Sequence, residues 1–236
     1  MITFNNFDQK LSKGIGVNLT QVFTLSQVDI NKFKTQGRNW KINGVNYALL
    51  NSEQGCNADI ISALKNSEIA CWLTFEKNPS PAELRLAKQL GIEAVIIPAT
   101  ELNELKNVSS RVARAGLYTI ISQGIVGREY QYSVSSIHTL KDSGIDGIID
   151  YSKEVNLGKS AIHSGLEVFA GNLINARELI NSGGAGIVHY MSGLNPKLVL
   201  DCYNGDLAAY GELLLRLNAS EKSYKKDFAN LIAKIF

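Results

Sequence analysis

The chain has 236 residues, 45% of them hydrophobic and 19% charged, with 24 lysines and arginines set against 22 aspartates and glutamates. That apolar share excludes a disordered chain, and a net charge of +2 gives no electrostatic footprint for nucleic acid. No run reaches the ~18–20 apolar residues that a membrane helix requires, so neither nucleic acid nor membrane is expected as a partner.

In chain order, short apolar runs occur at Gly14–Leu19, Val45–Leu50, Ile69–Thr74, Ala94–Ile97, Leu117–Ile121, Gly147–Ile149, Leu166–Phe169 and Gly186–Val188. Each reads as a buried strand, and the interval to the next is long enough for one helix. The clearest helix signal is Pro81–Leu90. Ser80 is a good N-cap, Pro81 fits the first helical position, Glu83 completes a capping box and Gly91 supplies the stop. Ser133–Ser143, with Val134, Ile137 and Leu140 before Gly144, predicts a second helix, and Ala176–Asn181 before Gly183-Gly184 a third. Strands alternating with helices call for a parallel sheet with right-handed crossovers, and eight such units predict a single (β/α)8 barrel. A doubly wound sheet is the competing reading, but no Gly-x-Gly-x-x-Gly follows the first strand. Residues 1–205 are assigned to a shortened barrel. Residues 206–236 form a C-terminal helical extension, carrying Leu207, Leu213–Leu215 and Leu217, then Phe228, Leu231, Ile232 and Ile235.

Three cysteines, Cys56, Cys71 and Cys202, are widely spaced and odd in number. They fit neither a disulfide framework nor a zinc site, and they predict a reducing, cytoplasmic setting. The start, MITFNNFDQKLSKG, lacks a charged head followed by an apolar stretch, so no secretory signal is expected.

Phe169-Ala-Gly-Asn172, then Gly183-Gly-Ala-Gly-Ile-Val188, then Asn195-Pro-Lys-Leu198 resembles the dihydrodipicolinate synthase / N-acetylneuraminate lyase family of pyruvate aldolases. Thr74-Phe-Glu-Lys-Asn-Pro-Ser80 through Gly91–Pro98 resembles that family's third strand, Thr-rich turn, helix and fourth strand. Ser52-Glu-Gln-Gly55 sits where the family has a Gly-Thr-Thr-Gly loop. The likeness runs from about residue 44 to residue 215 and implies the same barrel. It also implies a chain about 50 residues shorter than a usual barrel of ~250 residues with closing helices.

Chemistry is where the chain departs from the resemblance. The family joins pyruvate as a Schiff base to a lysine in a Gly-Ile-Lys-Asp-Ser context on the sixth strand. Here the stretch reads Gly147-Ile148-Ile149-Asp150-Tyr151, so Ile149 takes the lysine's place. An imine needs an amine, and isoleucine has none. The family's proton-relaying tyrosine falls on Ser122. Its carboxylate-binding Thr-Thr pair falls on Glu53-Gln54, where a carboxylate would repel a keto acid.

Functional groups of such a barrel stand at the C-terminal ends of the strands. That rule selects Asn18, Thr20, Glu53, Gln54, Thr74, Glu76, Thr100, Ser122, Gln123, Asp150, Tyr151, Asn172, His189 and Tyr190. His189, Glu53 and Asp150 are the candidate acid–base groups, set against a plain reading of His189 as a satisfied histidine of the eighth strand. Lys153, and less so Lys77, is the candidate relocated amine, set against an ordinary solvated loop lysine. Gln54, Ser122, Gln123, Tyr151, Asn172 and Tyr190 are candidate ligand-binding residues. Cys56 lacks a flanking cation to favour its thiolate. Arg128 lies close to an arginine that the family uses for substrate carboxylates, against a loop salt bridge with Glu129. His138 and His163 are placed on helices without metal-ligand spacing. Asp146, Asp150 and Glu154 make up an oxygen set weighed for Mg²⁺, and no metal or other cofactor is assigned.

Three readings stay open. The first is a catalytically degenerate barrel kept as a binding or assembly protein, paired with itself or with a related barrel. The second is a lyase or aldolase acting on a small keto acid with His189, Glu53 and Asp150. The third is a Schiff-base enzyme that uses Lys153.

Overall fold

The structure is a computed structural model, described here for residues 11–20, 29–52, 58–124 and 131–219. Eight parallel strands close on themselves in sequence order: β1 (Gly14–Asn18), β2 (Val45–Asn51), β3 (Ala70–Thr74), β4 (Ala94–Pro98), β5 (Tyr118–Gln123), β6 (Gly147–Asp150), β7 (Glu167–Ala170) and β8 (Gly186–His189). β8 returns to β1 with Ile15 beside Ile187 and Val17 beside His189, which closes the barrel and excludes the open doubly wound sheet.

Helices α1 (Ile30–Ile42), α2 (Ala58–Lys65), α3 (Pro81–Leu90), α4 (Leu102–Arg114), α5 (Thr139–Asp142), α6 (Val155–His163) and α7 (Leu173–Asn181) follow the first seven strands in turn. After β8 come α8 (Met191–Leu194), α9 (Pro196–Tyr203) and α10 (Leu207–Ala219). Helix α3 has the bounds read from the sequence: the Ser80 hydroxyl and the Glu83 carboxylate form the capping box, and Gly91 takes the left-handed conformation at its end. The helix expected over Ser133–Ser143 shrinks to the four residues of α5, and His138 lies in the turns before it. Serine chemistry explains the loss. Ser133 Oγ bonds the hydroxyls of Ser135 and Ser136, and the Thr139 hydroxyl donates to the Ser136 carbonyl, so local bonds compete with the helical ladder. Of the two closing helices expected after residue 206, α10 is the first; Phe228, Leu231, Ile232 and Ile235 lie outside the described residues.

Strand alternation splits the core in two. Ile15, Val17, Ala48, Leu73, Val95, Ile97, Ile121, Ile148 and Val168 point outward and pack under the helices. Tyr47, Leu49, Trp72, Ala94, Ile96, Ile120, Ile149, Phe169 and Val188 point inward and fill the barrel. The inner core is floored by three aromatic rings near the N-terminal ends of the strands. Tyr47 stacks on Trp72 at 4.0 Å between centroids, and the Phe169 ring meets both edge-on at 5.5 and 4.9 Å. Glycine opposite these rings makes the room. A Cβ at Gly16 would stand 1.9 Å from the Tyr47 ring, and one at Gly186 would stand 2.2 Å from the Gly14 carbonyl. The polar atoms of the floor are satisfied: the Tyr47 hydroxyl donates to the Ile187 carbonyl (3.0 Å), and Trp72 Nε1 donates to Glu93 Oε2 (2.8 Å). Glu93 Oε1 in turn accepts the Ser12 N–H.

Candidate functional site

With the floor filled by rings, the opposite, C-terminal end of the barrel is where this fold places its functional groups. There the inward alternation brings up Asn18, Asn51, Thr74, Pro98, Ser122, Tyr151 and Gly171. Apart from Pro98 and Gly171, these residues carry amides, hydroxyls and a phenol, with no formal charge among them. Asn18 organises one side. Its Oδ1 accepts from the Thr20 N–H and hydroxyl (3.0 and 2.8 Å), and its Nδ2 donates to the Tyr151 hydroxyl at 3.4 Å. Burial pushes the Tyr151 phenol up to about 12, against the opposing Asn18 hydrogen bond, so it stays protonated near neutral pH. It can donate or accept a hydrogen bond, but it is a poor general base. The Thr74 hydroxyl oxygen is buried and has no hydrogen-bond partner among the described residues.

Ile149 stands on the inner face one step below this rim, 0% exposed, between Ser122 on β5 and Phe169 on β7. None of the strand positions that share its inward face carries a lysine. In the loops that follow the C-terminal ends of β1–β7, the sequence holds two lysines, Lys77 and Lys153, and both are exposed.

The remaining candidates among the described residues do not converge on the mouth. Asp150 points outward from β6 and is 1% exposed. Its Oδ1 accepts the Ser152 N–H at 2.9 Å, and its Oδ2 lies where a Cβ on Gly158 of α6 would come within 2.8 Å. Burial raises the Asp150 pKa against the hydrogen bond from Ser152, and Oδ2 is buried without a partner among the described residues. His189 pairs in register with the outward Val17, and its Nδ1 accepts the Met191 N–H at 3.2 Å, which leaves the ring proton on Nε2. β7 stands between Asp150 and His189 in the sheet, so the Asp150–His189 pair is not assembled. Tyr190 packs against the outer core, with its ring 4.1 Å from that of His189.

Gln123 is spent on structure. It is 2% exposed, its Oε1 accepts the Tyr132 N–H (3.0 Å) and its Nε2 donates to the Tyr132 carbonyl (3.2 Å). Asn172 is the N-cap of α7, accepting the Ile174 N–H and donating to the Ser152 carbonyl. Asp146 and Asp150 sit at opposite ends of β6, and Asp146 accepts the Thr119 N–H, so they do not share a cation. No cluster of metal-binding groups occurs among the described residues. His163 ends α6, with Nδ1 at 2.7 Å from the Lys159 carbonyl. Glu53, Gln54, Cys56 and Arg128 lie outside the described residues. Sequence reasoning missed Asn51. The Tyr47–Leu49–Asn51 alternation of β2 carries the signal that places it at the rim.

No family model matches the chain, and no curated protein matches it. Among solved structures, the chain is similar to YagE, a prophage protein of the dihydrodipicolinic acid synthase family from E. coli K12 in complex with pyruvate. The TM-score is 0.74 at 19% identity, over 96% of this chain and 88% of that one. Dihydrodipicolinate synthase from Thermotoga maritima gives 0.68 at 18% identity, over 89% and 82%. A catalytic lysine mutant of the Ruminococcus gnavus sialic acid aldolase gives 0.69 at 12% identity, over 95% and 96%. At such identities the likeness is one of fold. The motif-level resemblance and the three-dimensional neighbours therefore agree on one architecture, the (β/α)8 barrel of the dihydrodipicolinate synthases and sialic acid aldolases.

Proposed function

We propose that this chain is a degenerate member of the dihydrodipicolinate synthase / N-acetylneuraminate lyase group that binds a small polar molecule at its mouth without forming an imine. One observation carries the reading: Ile149, aliphatic and fully buried, occupies the inner face of β6, and no other described inward position supplies an amine. Lys77 and Lys153 are exposed, so neither stands in the enclosed interior of the barrel. Asn18, Asn51, Thr74, Ser122 and Tyr151 supply hydrogen-bond donors and acceptors for a ligand. The buried Thr74 hydroxyl, lacking a partner among the described residues, is the group a ligand would satisfy most directly.

The test is reductive trapping. The protein is incubated with pyruvate and borohydride, and its intact mass is measured. An unchanged mass is expected; a covalent adduct of pyruvate overturns the proposal, and peptide mapping would then identify the amine.

A further inference from the structure

On the outer flank of the barrel, a groove of about 300 Å³ runs down α4 from the loop that joins β3 to α3 at the rim. Glu104, Asn107, Arg111 and Arg114 lie at spacings of three, four and three, which puts them on one side of the helix, with Ser110 beside them and Asn78 across from them. The acid in this group does not neutralise the two guanidinium groups. Glu104 is held instead by the Asn78 amide and the Thr100 hydroxyl, and no ion pair forms to Arg111 or Arg114 among the described residues. Two atoms of the groove residues are buried without a partner among the described residues: Arg111 Nε, a donor, and Asn78 Oδ1, an acceptor. Cations in the last turn complement the helix dipole, which accounts for the residue types there. It does not account for a guanidinium that lacks an acceptor beside a cavity.

We propose that this groove is a second binding site, for a small hydroxylated organic oxyanion such as the phosphate ester of a polyol. Arg111 and Arg114 face the oxyanion, whose oxygens match the planar fork of guanidinium donors. Asn107 and Ser110 add neutral hydrogen bonds. A hydroxyl of the ligand supplies the donor that Asn78 Oδ1 lacks, which is why an esterified polyol suits the groove better than a bare ion. Glu104 contributes the one opposing charge, so affinity is set by two cations against one carboxylate and weakens as salt rises.

The experiment titrates glycerol phosphate, and separately inorganic phosphate, into the full chain by calorimetry, with circular dichroism to verify folding of each variant. Saturable binding of glycerol phosphate is expected, tighter than that of inorganic phosphate. The pair R111Q and R114Q, introduced together, should weaken it at least tenfold. E104Q removes the repelling charge while keeping the shape, and it should tighten binding severalfold. A double variant that binds as well as the parent overturns the proposal, as does an E104Q variant of unchanged affinity or the absence of saturable binding by either compound.

Discussion

Substituting Ile149→Lys tests the dryness of the wall that stands where an imine-forming amine would be needed. Ile149 is 0% exposed and packs within the inner cluster that contains Ile120, Phe169 and Tyr151. An ammonium there loses its water, which lowers a lysine pKa by about 3–4 units from its usual ~10.4. At 1.36 kcal/mol per unit, the variant loses about 4–5 kcal/mol of stability at pH 7, and a chain of this size unfolds about 10–15 °C lower. The sign follows from the depressed pKa. The unfolded lysine holds its proton below pH ~10.4 and the native one does not, so the penalty is fully developed at neutral pH and fades as pH rises toward that value. Urea unfolding of parent and variant at pH 7 and pH 9 should therefore show a stability gap that narrows by about 2–3 kcal/mol. The same desolvated, partly neutral amine should acquire pyruvate on borohydride trapping where the parent does not. A gap that stays constant between the two pH values would show a protonated, hydrated lysine and refute the argument.

Three further outcomes are expected. Asp150 has a pKa raised by burial, so ionising it costs the native state stability as pH climbs past the ordinary carboxylate range. Asp150→Asn should accordingly gain on the parent between pH 4 and pH 7 in urea unfolding; a change in the opposite direction would reveal a stabilising carboxylate. Gln123→Ala removes both bonds to the Tyr132 backbone and should cost about 2–3 kcal/mol by the same method, a loss below about 0.5 kcal/mol contradicting the clamp. Gly16→Ala drives a methyl to 1.9 Å from the Tyr47 ring, which stacking and a hydrogen bond hold in place. It should cost about 3 kcal/mol or more, and a neutral result would show that the aromatic floor can yield.

The sheet was the most legible part of the sequence, because each strand of a parallel barrel is apolar on both faces and reads as an uninterrupted run. All eight runs begin within one residue of an observed strand. Helices were legible where capping chemistry was strong, as at Ser80, Glu83 and Gly91, and not where serines bonded to one another, as at Ser133–Ser136. The rim was read less well. Proximity to a strand's C-terminal end selected Asp150, His189 and Gln123 together with Asn18 and Tyr151, whereas which of them faces inward depends on the two-residue period. Gly147, Ile149 and Tyr151 share one face of β6 and Ile148 and Asp150 the other, so a shift of a single position separates a mouth residue from one packed under a helix. Partner relations such as the Gln123–Tyr132 clamp join residues through loop geometry, and no periodicity announces them.

The ring-filled base has a bearing on traffic. Because the Tyr47, Trp72 and Phe169 rings pack together inside the barrel, a ligand of the proposed site would have to enter and leave on the side of Asn18 and Tyr151, so two ligands would compete for one approach.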